Sequence, residues 1–329
     1  MMRLFRVELR RLFSRRLVVL ATAGAVVVTG MLLFGFWQST QPMSGAERAQ
    51  AQTEYERARA DWEENGEDHL AQCLADEELE RETTGRDVDF GCEDMEPKKE
   101  WFLYSAPPLE ESLPGVLSGG AYQLLFLAFL VGATFTAAEA STGSLSNWLT
   151  FEPRRLRVYG SKLLAAAVGV LPVTAVLLGV VVAGAWAIAG SFGLADGMTA
   201  RDWSVAAATA GRILALCAVV AAVAAALGFL LRHTAAVLGV AVGWVLVVEL
   251  MLSGYLERFQ PWLVGKNVDG WISRGTTYFV NTCTTDSTGT LCEYTETSLA
   301  FGHSAAYLLV LAALLVLTGA LVFRRRDVV

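Results

Sequence analysis

Three ionisable residues lie in or beside long apolar runs, and their types decide what chemistry the chain could do. Glu139 ends the apolar run 116–138, while Arg212 and Glu249 lie inside the runs 205–231 and 235–256. Each of the latter two is about 10 Å from one end of its run. A lone charge near a bilayer centre costs about 2.5–3.5 kcal/mol, less toward the interface. Pairing across adjacent helices offsets that cost, so Arg212 and Glu249 are expected to form an intramembrane ion pair. The pair would either stabilise the helices or line a translocation route or its outer gate; the remaining alternative is that the two residues face water separately. Glu139 can cap the Ser141–Asn147 turn, meet an arginine of a partner, or simply end its helix. The five cysteines are the other reactive groups. Cys73 with Cys92, and Cys283 with Cys292, are expected as disulfides, while Cys217 stands alone in an apolar run. Four cysteines allow three pairings; the local one is favoured, and a loop of about 20 residues gains roughly 3 kcal/mol from closure.

Other chemistry has no residues to carry it. There is no G-x-x-x-x-G-K-[ST]; the nearest string, Gly160-Ser161-Lys162, lacks the preceding strand and glycine. There is no H-E-x-x-H and no G-x-S-x-G, and His69, His233 and His303 are scattered. The chain is therefore expected not to be an enzyme by itself, to bind no metal or cofactor of its own, and to bind no nucleic acid.

The elements that must hold these residues are membrane helices. A mean hydropathy of +0.43 with 54% hydrophobic residues is too apolar for one soluble globule. About 20 apolar residues span a bilayer as a helix, and six runs qualify: 17–37, 116–138, 163–190, 205–231, 235–256 and 303–323. The first has no small-residue cleavage site before Gln38, so it reads as a retained span rather than a signal peptide. With six spans, the arginines before the first, Arg154, Arg155, Arg157 and Lys162 after the second, Arg232 after the fourth and the Arg324–Arg326 tail all fall on one side. The positive-inside rule makes that side cytoplasmic. Both termini, the segment 139–162 and the tail 324–329 are then cytoplasmic, and 38–115 and 257–302 extracellular.

The net charge of −7 hides a strong asymmetry, because 38–115 holds 21 acidic against 7 basic residues. Ser44 and Glu47 form a capping box there. Arg57–Asp61 and Arg59–Glu63 can pair at i,i+4. Asn65-Gly66 is expected to break the segment into a helical hairpin with too little apolar surface for its own core. Residues 1–16 read as an amphipathic interfacial helix, with Leu4, Phe5, Leu9, Leu12 and Phe13 on one face and arginines on most of the other. Its cations would sit among anionic head groups. Residues 257–302 are too apolar for a free loop. They are expected to form short re-entrant or interfacial helices, then a stapled Thr/Cys/Gly loop over 282–292. Arginine outnumbers lysine 22 to 4, as in a high-GC bacterium.

The stretch 139–162 reads E-A-S-T-G-S-L-S-N-W-L-T-F-E-P-R-R-L-R-V-Y-G-S-K. Leu145, Trp148, Leu149 and Phe151 recur at near-helical spacing between Gly143 and Pro153, and Arg154 and Arg155 follow. A short helix at the membrane surface, docking to a cytosolic partner, needs that pattern. It resembles the coupling segment of ABC-2 type ABC transporter permeases, and the entry helix, six spans and apolar helices before the sixth span resemble that family's architecture. The resemblance implies an all-α integral membrane protein: the transmembrane subunit of a bacterial ABC exporter in the plasma membrane. It implies a homodimer or heterodimer of such chains in the lipid bilayer, with two separate ATP-binding cassette subunits that carry ATP and Mg. It also implies that Glu139, Gly143, Leu145, Trp148, Leu149, Phe151, Pro153, Arg154 and Arg155 couple to those subunits. The alternative is a non-transporting membrane sensor or assembly scaffold whose acidic extracellular domain binds a partner.

Overall fold

The computed structural model describes residues 2–85, 88–144, 150, 154–255, 257–285 and 290–325. Leu145, Trp148, Leu149, Phe151 and Pro153 lie outside the described residues, as does the side chain of Cys292. The chain divides into two compact units. One comprises 1–38, 108–280 and 295–329; the other comprises 39–107 and 281–294.

The first unit is helical and apolar. Helix α1 (Met2–Phe13) is joined by two residues to α2 (Arg16–Thr40). After the polar unit come α4 (Leu109–Ser141), α5 (Arg155–Ser191), α6 (Ala200–Leu231) and α7 (Thr234–Trp244), which continues as a π-helical stretch over Val245–Leu252. A short helix, α8 (Val264–Ser273), precedes the last long one, α9 (Phe301–Arg325). Six helices are long and apolar enough to cross a bilayer: Arg16–Thr40, Leu109–Ser141, Arg155–Ser191, Ala200–Leu231, Thr234–Leu252 and Phe301–Arg325. That marks a multi-pass membrane protein.

Helices α4, α5 and α6 form the core of this unit. About half of the apolar stretch of α4 and α6 is buried, against 17% for α2, 11% for α9 and 6% for α7. The outer three therefore offer apolar faces to their surroundings. Small residues let α4 and α6 approach closely. A side chain at Gly132 would strike the Ala221 carbonyl, and one at Gly228 would strike Thr136. The Thr136 hydroxyl donates across the gap to the Ala225 carbonyl at 2.8 Å. Gln123 Nε2 donates to Thr29 Oγ1 at 2.9 Å and ties α2 to α4. Rings of Tyr159, Phe229 and Phe323 meet with centroids 4.7–6.1 Å apart and hold α9 to α5 and α6.

The polar unit is built on α3 (Gly45–Thr84), a single helix of 40 residues. The expected break at Asn65-Gly66 does not occur. Glycine costs a helix only about 1 kcal/mol, and Asn65 and Gly66 are used within it. Asn65 donates to Asp61 at 2.9 Å, and the Trp62 ring lies over Gly66, where a Cβ would meet it at 2.8 Å. The Ser44–Glu47 capping box starts the helix, Arg59 pairs with Glu63 at 3.1 Å, and left-handed Gly85 ends it. Among its described residues only Ala51 and Cys92 are buried hydrophobics. The Cys73–Cys92 disulfide, with Cα atoms 5.8 Å apart, supplies the closure that so small an apolar core cannot.

The fold is not wholly α. Residues Gly275–Thr285 and Thr290–Ala300 form a two-stranded sheet, β1 and β2. Threonine, tyrosine, phenylalanine and valine dominate β1, and β2 carries three threonines and a tyrosine, which suits a pleated surface. Of the short helices expected over 257–302, α8 and the 3-10 turn Glu257–Trp262 form.

Candidate functional site

Glu139 and Lys162, the two ends of the segment singled out by sequence, meet in one buried ionic cluster. Glu139 comes from the last turn of α4 and Lys162 from the second turn of α5. Lys162 Nζ lies 2.5 Å from Glu139 Oε2 and 2.9 Å from Glu8 Oε2 of α1. Arg15, between α1 and α2, donates through one nitrogen to Glu139 and through the other to the Thr134 carbonyl at 2.9 Å. Arg11 NH1 stands 3.9 Å from both carboxylates. The Phe135 ring underlies the cations, with Lys162 Nζ 4.9 Å and the Arg15 guanidinium carbon 5.1 Å from its centre. Glu8 and Lys162 are fully buried and Glu139 nearly so.

The local sequence explains how α1 reaches this place. Glu8, Arg11 and Leu12 recur at i, i+3 and i+4 and share one face of α1, and Arg15 follows just past its end. Gly169 on α5 leaves room for Leu9 and Leu12, whose side chains would touch a Cβ there at 3.2 Å. The apolar face of α1 therefore seats against α5 and carries Glu8 in with it. The sequence reading missed Glu8. Its signal was available, as the lone acid among the arginines of 2–16.

The Glu139 carboxylate thus finds its partners inside the chain, and among the described residues it caps no N–H of the following turn. Hydroxyls of Ser141, Thr142 and Ser144 close that turn on the carbonyls of Ala138 and Glu139. Gly143 follows with φ of +72°, a left-handed conformation that glycine adopts without Cβ strain. Arg154 is exposed just before α5, and Arg155 is its first residue.

Arg212 and Glu249 do not meet each other. They hold opposite ends of α8. Glu249 accepts from the Val264 and Gly265 N–H groups at 2.8 and 3.0 Å, and from Trp244 Nε1 at 2.9 Å. Arg212 Nε donates to the Ile272 carbonyl at 2.9 Å, and Trp271 Nε1 returns a bond to the Arg212 carbonyl at 2.9 Å. A helix leaves N–H groups unpaired at its start and carbonyls at its end, with partial charges to match. Each residue therefore finds in α8 a partner of opposite sign, and the expected ion pair is replaced by a charge-capped helix. Tyr122 of α4 donates to Asp269 on α8 at 2.5 Å. A recess of about 310 Å³ beside it is lined by Tyr122, Glu249, Ser253, Gln260, Lys266 and Asp269.

Of the expected disulfides, Cys73–Cys92 forms, and Cys283 is disulfide-bonded. Cys217 is a free, buried thiol. Among the described residues no group of three or more His, Cys, Asp or Glu side chains is arranged to hold a metal ion.

Comparison with curated proteins and with solved structures finds no significant match. The model of a family described as "Protein of unknown function (DUF2705)" matches residues 104–329. That span takes in Glu139, Lys162, Arg212 and Glu249 but begins after α1 and α3. Since it covers more than half of the chain, this protein belongs to the DUF2705 family.

Proposed function

We propose that the chain is the membrane-embedded permease subunit of an ABC-2 type exporter. In this reading it works as a homodimer or heterodimer with two separate ATPase subunits that bind ATP and Mg. The termini and the segment 139–162 face the cytoplasm of a bacterium, where the basic residues concentrate, and residues 38–115 and 257–302 face outward.

The observation that carries this reading is the buried cluster. Glu139 and Lys162 bracket the segment 139–162, and both are fixed to α1 and to each other. Force applied between them therefore moves α1, α4 and α5 together. A plain connecting loop would gain nothing from three buried charges at its base, since each ion carries a desolvation penalty of several kcal/mol. A lever needs such a rigid base. Gly143, Arg154 and Arg155, with Leu145, Trp148, Leu149, Phe151 and Pro153, are the groups that would meet the ATPase.

The test looks for a P-loop ATPase encoded beside this chain and purifies the two together in detergent. Arg154→Glu and Arg155→Glu together with Trp148→Ala are expected to abolish co-purification and the stimulation of ATP hydrolysis, at unchanged expression of the membrane chain. Unchanged assembly and hydrolysis would overturn the coupling role. The absence of any neighbouring ATPase would favour a sensor or scaffold that uses its acidic unit to bind a partner.

A further inference from the structure

Helix α1 has two faces with different business. One carries Glu8, Arg11 and Leu12 into the buried cluster, joined by Arg15 just past its end. The other is open: Arg6 and Arg10 are exposed, as is Arg16 at the start of α2. Val7 and Phe13 are exposed beside them, 42% and 46% respectively. Two residues separate this helix from the membrane-crossing α2, so α1 cannot lie far from the level where a bilayer's head groups begin. Arginines flanked by exposed apolar side chains at that level match a surface of anionic phospholipid, with guanidinium on phosphate and Phe13 among the acyl chains.

We infer that α1 is a sensor of anionic phospholipid whose occupancy is transmitted, through Glu8 and Arg15, to the ends of α4 and α5. The physical route is short. Glu8 is bound to Lys162, Lys162 and Arg15 to Glu139, and Arg15 also to the Thr134 carbonyl. Lipid that holds the outer face of α1 holds this network in place and restrains the last turn of α4 and the first turns of α5. In a bilayer without anionic lipid, α1 loses its outer anchor and the two helix ends loosen. The proposal rests on the membrane reading of the six helices and needs no ATPase partner.

The experiment is hydrogen–deuterium exchange on the full chain in nanodiscs of phosphatidylcholine alone, and of phosphatidylcholine with one third phosphatidylglycerol. A basic residue near an anionic surface contributes about fivefold in affinity. The wild-type amides of 134–142 and 155–162 are expected to exchange at least that much more slowly with phosphatidylglycerol. Arg6→Gln, Arg10→Gln and Arg16→Gln combined, all surface changes that leave the core intact, should erase the difference. Glu8→Gln combined with Arg15→Gln should keep the lipid-dependent protection of α1 while losing that of 134–142 and 155–162. Equal exchange of these amides in the two bilayers overturns the proposal, and so does a difference that survives the triple arginine variant. Protection undiminished by Glu8→Gln with Arg15→Gln would overturn the transmission route. Failure to co-purify an ATPase would bear on the exporter reading and leave these outcomes untouched.

Discussion

Two groups of charges in the helical unit of the same chain solve the same problem in opposite ways. At Glu8, Glu139 and Lys162, charge meets charge. Three chain segments contribute, the groups are buried, and each ion is satisfied mainly by another ion. At Arg212 and Glu249, charge meets backbone. Each side chain completes one terminus of α8, and neither contacts the other. The first arrangement locks elements far apart in sequence, because removing any member strands its partners in a desolvated site. The second fixes one short helix in position, and each cap can fail without disturbing the other. In the proposed coupling role, a base that carries force calls for the first arrangement, whereas a short helix that keeps its place needs only the second.

The largest effect is expected where the comparison is sharpest. Lys162→Met leaves Glu8 and Glu139 buried without the cation they share. Breaking a buried pair this way typically costs about 3–5 kcal/mol, to be read from denaturant unfolding in detergent micelles. Adding Glu8→Leu should recover much of that loss, because Glu139 retains Arg15 and no other carboxylate is stranded. If Lys162→Met costs under about 1 kcal/mol, the range of an exposed pair, the cluster is not the tight base described here.

How much of this was legible in the sequence depends on range. The six spans were, because twenty apolar residues carry their own evidence: the expected 303–323 is observed as Phe301–Arg325, and 205–231 as Ala200–Leu231. The Ser44–Glu47 cap and the Cys73–Cys92 disulfide were legible for the same reason, both being local. Partners across helices were not. Glu139 and Lys162 were marked as the ends of one segment, yet nothing local says that Glu8 joins them. Arg212 and Glu249 were matched by sign and depth, a rule that overlooks the charged ends of a short helix as competitors. The hairpin had a signal in the β-branched and aromatic Thr276–Val280 run, but its apolar character equally suits the short re-entrant or interfacial helices expected there, and only 282–292 was expected as a stapled loop. At Asn65-Gly66 a turn dipeptide lost to its context. A long helix with a good cap absorbs one glycine, and the side chains of Asp61 and Trp62 make use of the site.

A smaller effect is expected at the other site. Glu249→Gln keeps an acceptor for the Val264 and Gly265 N–H groups but removes the negative charge from the start of α8. The loss should be about 1–2 kcal/mol, the usual worth of a charge at a partly buried helix end. It should be local. Exchange of the α8 amides should speed up while those of 134–142 and 155–162 stay as they were. Matching acceleration at both places would mean that the two charge groups form one cooperative unit, and the contrast between them would fall.

The smallest expected number is the most discriminating. Arg212 and Glu249 hold opposite ends of one helix, so a double-mutant cycle with Arg212→Gln and Glu249→Gln should be nearly additive. Sites without shared partners couple by no more than about 0.5 kcal/mol. A direct ion pair would give a coupling of at least about 1 kcal/mol in the same cycle, as contacting residues do. The same cycle run on Glu8→Gln and Lys162→Met should show strong coupling, because the two side chains touch at 2.9 Å. Strong coupling at the cluster with near-additivity at α8 is the result that the two geometries require. Additivity at both would remove the distinction between charges that lock segments together and charges that cap a helix.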